Sequence, residues 1–168
     1  MNRQFASVVT PLIGGVLLLV GAALAEEKGV DWKVLEAAKI SLAKGLAGAQ
    51  QKGKPISGKF EMEDGKLQLS TYTVSKGKFI EVIIDHTSGK VAKSEEIKDT
   101  EDLANATAQN KAMAKTKKSL SAAVSKAVAG NAGYRALSVV PSLEEGKPIA
   151  TVVLENATGT KTVSEKPE

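Results

Sequence analysis

Cysteine is absent from the 168 residues, histidine occurs once, at His86, and aromatic side chains make up only 4%. Each scarcity excludes something. Without cysteine the chain has no disulfide framework and no thiol to carry a lipid. A single histidine cannot build a multi-histidine metal centre, and the carboxylates of Glu61, Glu63 and Asp64 lack the spacing of a calcium loop. With few aromatics the core must rest on Val, Ile, Leu and Ala. The one basic cluster, Lys111 to Lys118, contains no stacking aromatic, and a formal charge of +4 is a mild excess. Nucleic acid is therefore not an expected partner. The cluster reads instead as the end of a solvated helical segment whose acidic start is Glu101-Asp102.

The N-terminus differs from the rest. Arg3 supplies a positive start, Pro11 to Ala22 is an almost uninterrupted apolar run, and Ala23-Leu24-Ala25 is a small-x-small signal before Glu26-Glu27. This pattern marks residues 1–25 as a secretory signal peptide. Val8 to Ala25 nearly reaches the roughly 20 residues of a bilayer span, but the cleavage signal argues against a retained anchor. The expectation is a mature protein free of stable membrane insertion, in the bacterial periplasm or secreted.

In the mature chain Asp31 can cap a helix beginning near Trp32, with Leu35, Ala38, Leu42, Leu46 and Ala49 forming a stripe of helical period. From Ile56 the period changes to alternation. Strands are expected at Gly58 to Glu63, Leu67 to Val74, Phe79 to Ile84 and Lys90 to Glu95, separated by Gly-containing turns. Asp99 to Asp102 opens a second helical segment, polar at first and then carrying the stripe Leu120, Ala123, Val124, Ala127 and Val128. Gly130 to Gly133 ends it, and strands follow at Tyr134 to Val140, Ile149 to Glu155 and Lys161 to Ser164.

The halves echo each other. Ser41-Leu42 recurs as Ser119-Leu120, Gly65-Lys66 as Gly146-Lys147 and Gly77 as Gly159, at a spacing of about 80 residues. The fold class expected is α+β, as two tandem units, each a helix packed on a small antiparallel β-sheet. Residues 26–98 form the first unit, residues 99–118 a charged, solvated helical connector, and residues 119–168 a second, shorter unit.

The order of helix, Gly-punctuated hairpins and then Phe79-Ile80-Glu81-Val82-Ile83-Ile84-Asp85-His86-Thr87-Ser88-Gly89-Lys90-Val91 resembles the PepSY domain. The resemblance is good over Lys39 to Ile97 and weaker over Lys118 to Lys166. PepSY-like units occur in propeptides of thermolysin-type metallopeptidases and in small bacterial envelope proteins, and regulation of peptidases has been proposed for them. The resemblance implies a secreted or envelope location and a non-enzymatic, protein-binding role. Since no peptidase domain follows here, inhibition would act on a separate chain.

Candidate contacts come from the strand around Glu81. Ile80, Val82 and Ile84 share one face, while Phe79 and Ile83 share the other with Glu81 between them, so a second apolar face needs a cover. Tyr72, Phe79, Glu81 and Ile83 are the candidate partner-binding residues, and the partner is a protein: a peptidase, or a second copy in a homodimer. Asp85, His86 and Ser88 read as a turn-forming cluster, since neighbouring Asp and His at a strand end point to opposite faces and cannot form a triad. No catalytic residue, metal ligand or cofactor is expected. The alternative is an envelope protein that handles a small ligand or metal in a site between the two units.

Overall fold

The computed structural model describes residues 30–166, so the signal segment expected over residues 1–25 lies outside the described residues. Asp31 caps α1 (Trp32–Glu36), its carboxylate accepting from Lys33 N at 2.8 Å. Leu35, Ala38, Leu42, Leu46 and Ala49 are all buried, but they do not lie on one helix. The chain breaks after Glu36 and restarts as α2 (Leu42–Ala49), with Ser41 Oγ accepting from Lys44 N at 3.2 Å. Between the helices the N–H groups of Lys39 and Ile40 both donate to the carbonyl of His86, at 2.9 and 3.1 Å. An acceptor from a distant turn, together with a strong N-cap residue, outcompetes continuation of the helix.

The strands are β1 (Lys54–Glu63), β2 (Lys66–Ser75), β3 (Lys78–Ile84), β4 (Val91–Glu96), β5 (Arg135–Glu144), β6 (Lys147–Asn156) and β7 (Gly159–Glu165). Between β4 and β5 run α3 (Thr100–Met113), capped by Asp99, and α4 (Leu120–Ala129), capped by Ser119. The hairpin turns at Asp64-Gly65 and at Glu145-Gly146 have the same positive φ pair, 49° and 73° in the first, 49° and 77° in the second. Two-residue hairpins favour this twist, and glycine at the second position adopts it without strain.

Two separate helix-on-sheet units do not form. β1 pairs antiparallel with β5 through Gly58 opposite Val139 and Lys59 opposite Ser138. The result is one seven-stranded antiparallel sheet in the order β4-β3-β2-β1-β5-β6-β7. Its physical reason is that separate sheets would leave β1 and β5 as bare edges with unpaired backbone groups, and joining them satisfies both. Gly58 permits the join to pack closely: a Cβ there would lie 3.0 Å from a methyl of Leu46 on α2. α2 and α4 lie side by side on this face, and a single hydrophobic cluster runs from Val30 to Leu154.

The segment over residues 99–118 is also not a solvated connector. Ser57 and Lys59 flank Gly58 and so face away from α2. On that side Ser57 Oγ donates to Gln109 Oε1 at 2.7 Å, which places α3 across the opposite face, over β1, β5 and β6. Ala106, Ala112 and Met113 are buried beneath it. The cover required for the second face thus comes in part from the chain itself, through small alanines that give close approach without a broad apolar stripe.

The halves also clasp each other. Lys54 Nζ donates to Met113 O at 2.9 Å, at the C-terminal end of α3. In return Arg135 Nη2 donates to Ala38 O at 2.9 Å and Ile40 O at 3.1 Å, just before α2, and Nη1 reaches Glu36 O at 3.3 Å.

Candidate functional site

Period-two alternation and the register of β2 with β3 put Tyr72, Phe79, Glu81 and Ile83 on the face that carries α3: Tyr72 opposes Glu81, Val74 opposes Phe79 and Ser70 opposes Ile83. All four are half-buried, and α3 covers the sheet centre beside them. The face is not the apolar patch the sequence suggested. Lys59 and Glu61 project onto it from β1, Lys93 and Glu95 from β4, and Glu95 stands directly opposite Glu81. The apolar reading of β3 held only along one strand; its neighbours on the same face are charged.

These polar groups answer one another. Lys59 Nζ lies 2.7 Å from Glu61 Oε2, Ser70 Oγ donates to Glu61 Oε1, and Gln68 Nε2 donates to Ser70 Oγ at 3.0 Å. The Tyr72 hydroxyl donates to Glu81 Oε1 at 3.4 Å, a long bond. Burial raises the Glu81 carboxyl above its ordinary value, and the nearby negative charge of Glu61 raises it further. Burial likewise pushes the Tyr72 phenol well above the ordinary tyrosine range. The network holds the face in shape. A protein contacting it would meet alternating charges rather than grease.

The β3–β4 turn places His86 as a framework element. Asp85 accepts from the N–H groups of Thr87 at 2.9 Å and Ser88 at 2.7 Å, which holds its carboxyl below the ordinary aspartate value. Its carboxylate therefore serves the turn rather than the imidazole, and the His86 carbonyl anchors the start of α2. Among the described residues no three His, Asp or Glu side chains gather as a metal site, and no helix is long and apolar enough to cross a membrane.

Two open clefts flank the α2–α4 pair. One, about 310 Å³, lies between the end of α2 and the start of α4 and includes Lys54, Met113, Lys118 and Leu120. The other, about 330 Å³, lies between the start of α2 and the end of α4 and includes Leu42, Val128, Tyr134 and Arg135. Each is lined in part by the basic residue of the clasp, Lys54 in one and Arg135 in the other. Their basic groups are already turned to backbone carbonyls.

The two outer strands differ. β4 is six residues long and carries Lys93, Glu95 and Glu96, with a register irregularity at Ile83/Ile84 on its partner. Lys93 pairs with Glu95 at 2.9 Å and Lys78 with Glu96 at 2.8 Å. Charges and a bulge are the usual protection of a sheet edge. β7 has seven residues, Gly159-Thr-Lys-Thr-Val-Ser-Glu165, in unbroken register with β6, and contains neither bulge nor proline. Its two charges are turned back toward α4: Lys161 Nζ to Asn131 Oδ1 at 2.5 Å and Glu165 to Lys126 at 2.8 Å.

Because Asn156 and Gly159 pair across a two-residue turn, alternate residues bond to β6, and Thr160, Thr162 and Ser164 direct their N–H and C=O groups outward. Sequence reasoning located this strand but did not single it out as a site. The signal was present in the β-branched Thr160, Thr162 and Val163 that follow the turn after Asn156. Compared with protein-family models, with curated proteins and with solved structures, the chain matches none.

Proposed function

We propose that the protein is a non-catalytic, secreted or periplasmic PepSY-like binding protein that engages an extended segment of a protein partner by strand addition at the outer edge of β7, an extracytoplasmic peptidase being the partner to test first. The observation that supports this reading is the contrast between the edges. β4 is short, charged and bulged, whereas β7 offers three consecutive outward pairs of backbone donors and acceptors. Strand addition draws affinity from main-chain bonds and makes little demand on side chains.

Hydrolysis of a fluorogenic peptide by a thermolysin-type metallopeptidase, titrated with the mature protein, tests the reading. Thr162→Pro removes an outward N–H without touching the bonds to β6. Inhibition by the wild-type chain that weakens at least about ten-fold in Thr162→Pro, and is unchanged in His86→Ala, agrees with edge recognition. Inhibition that Thr162→Pro leaves intact removes β7 as the site. Absence of inhibition removes the peptidase.

A further inference from the structure

The β7 edge has a self-complementary sequence. Resting on the open-edge reading above, we infer that without another partner the edge of β7 is covered by β7 of a second copy, antiparallel and centred on Val163, so that dimerisation masks the proposed binding edge.

Parity narrows the registers. Outward residues must face outward residues, so two copies of β7 can centre on Thr162 or on Val163 but not between them. Centring on Thr162 would place Lys161 opposite Val163 and Gly159 opposite Glu165. Centring on Val163 places Lys161 opposite Glu165 of the other copy, twice by symmetry, so that opposite charges face each other while each keeps its bond to Asn131 or Lys126, and brings the two Val163 side chains together at a non-hydrogen-bonded pair, where side chains approach most closely. Val163 opposes Val152, and Leu154 opposes Lys161, across β6–β7, so Lys161, Val163 and Glu165 share the α4 face. The two valines would extend the core already formed there by Val152 and Leu154.

Thr162 and Ser164 then form the hydrogen-bonded pairs, and hydroxyls line the other face. The fold already contains one joint of this kind, the antiparallel β1–β5 pairing, which uses only two residue pairs in register. The interface is isologous and closes after two copies, and the charged, bulged β4 gives the dimer no second edge on which to grow.

Absence of cysteine makes the test clean, because any introduced thiol is the only one in the chain. Three single variants of the mature protein, Val163→Cys, Thr162→Cys and Ser94→Cys, are oxidised side by side and resolved on non-reducing gels. The unmodified chain is followed by light scattering from about 1 μM to about 1 mM, a range covering weak edge pairing. The inference expects a reversible rise toward twice the monomer mass that Thr162→Pro abolishes. It also expects Val163→Cys to form a disulfide dimer at least about ten-fold faster than either other variant.

A monomeric mass throughout, with Val163→Cys no faster than Ser94→Cys, overturns the inference. Fastest linkage through Thr162→Cys overturns the register, and through Ser94→Cys assigns association to β4. Should the chain stay monomeric while peptidase inhibition still depends on Thr162, the edge reading stands and only its second-copy occupant falls. Loss of both removes the edge.

Discussion

Replacing Arg135 by methionine keeps the aliphatic stem that lines the cleft between α2 and α4 but deletes the guanidinium that ties the second half of the chain to the start of α2. Three carbonyls lose a donor. The bond to Glu36 O is long, at 3.3 Å, and exposed, so water replaces it at little cost. Those to Ala38 O and Ile40 O, at 2.9 and 3.1 Å, are part-buried. A hydrogen bond from a charged donor contributes about 1.5–3 kcal/mol net, and taking the low end twice gives a loss of about 3 kcal/mol. For a domain of this size that lowers Tm by about 10 °C. Arg135→Lys, whose ammonium lacks the planar fork, should lose about half as much. Urea unfolding followed by Trp32 fluorescence and by circular dichroism measures both. A loss for Arg135→Met below about 1 kcal/mol would mean that solvent takes over the carbonyls and the clasp does not hold the halves together.

Met113→Ala should cost about 2–5 kcal/mol in the same assay, because the side chain is fully buried where α3 meets the sheet, whereas a solvated connector would tolerate it within about 0.5 kcal/mol. Glu81→Gln should stabilise the protein at neutral pH. The folded state holds the Glu81 proton more tightly than the unfolded chain does, so this group's contribution falls as pH rises from the ordinary glutamate value through the raised folded one. The advantage of glutamine should vanish below the ordinary glutamate pKa, and urea midpoints measured across acid to neutral pH show whether it does.

The sequence made the local pieces readable and the long-range ones invisible. Hairpins at Asp64-Gly65 and Ser75 to Lys78 declare themselves through turn residues and alternation, and the buried stripe of Leu35 to Ala49 through its spacing. The break between α1 and α2 depends on the His86 carbonyl, far along the chain, and nothing local announces it. α3 was misread as solvated because Ala106 and Ala112 bury little area each and leave no strong periodic signal. The pairing of Gly58-Lys59 with Ser138-Val139 was unreadable for a related reason: neither dipeptide encodes its partner, and one sheet or two satisfies the same alternation. At the candidate face, period two correctly grouped Tyr72, Phe79, Glu81 and Ile83. It could not reveal that Lys59, Glu61, Lys93 and Glu95 would join them, because that composition comes from neighbouring strands.

The central joint also bears on how the chain is made. β1 emerges from synthesis early, and its partner β5 follows only after three more strands and two helices. Until then the middle of the future sheet is an exposed border, and the contact that seals it is among the most non-local in the molecule. A neighbouring chain further along in synthesis offers an identical β5 to that border. Correct folding is therefore a competition between the β5 still to come on the same chain and one already present on another, and crowding of nascent copies favours exchange of halves between them.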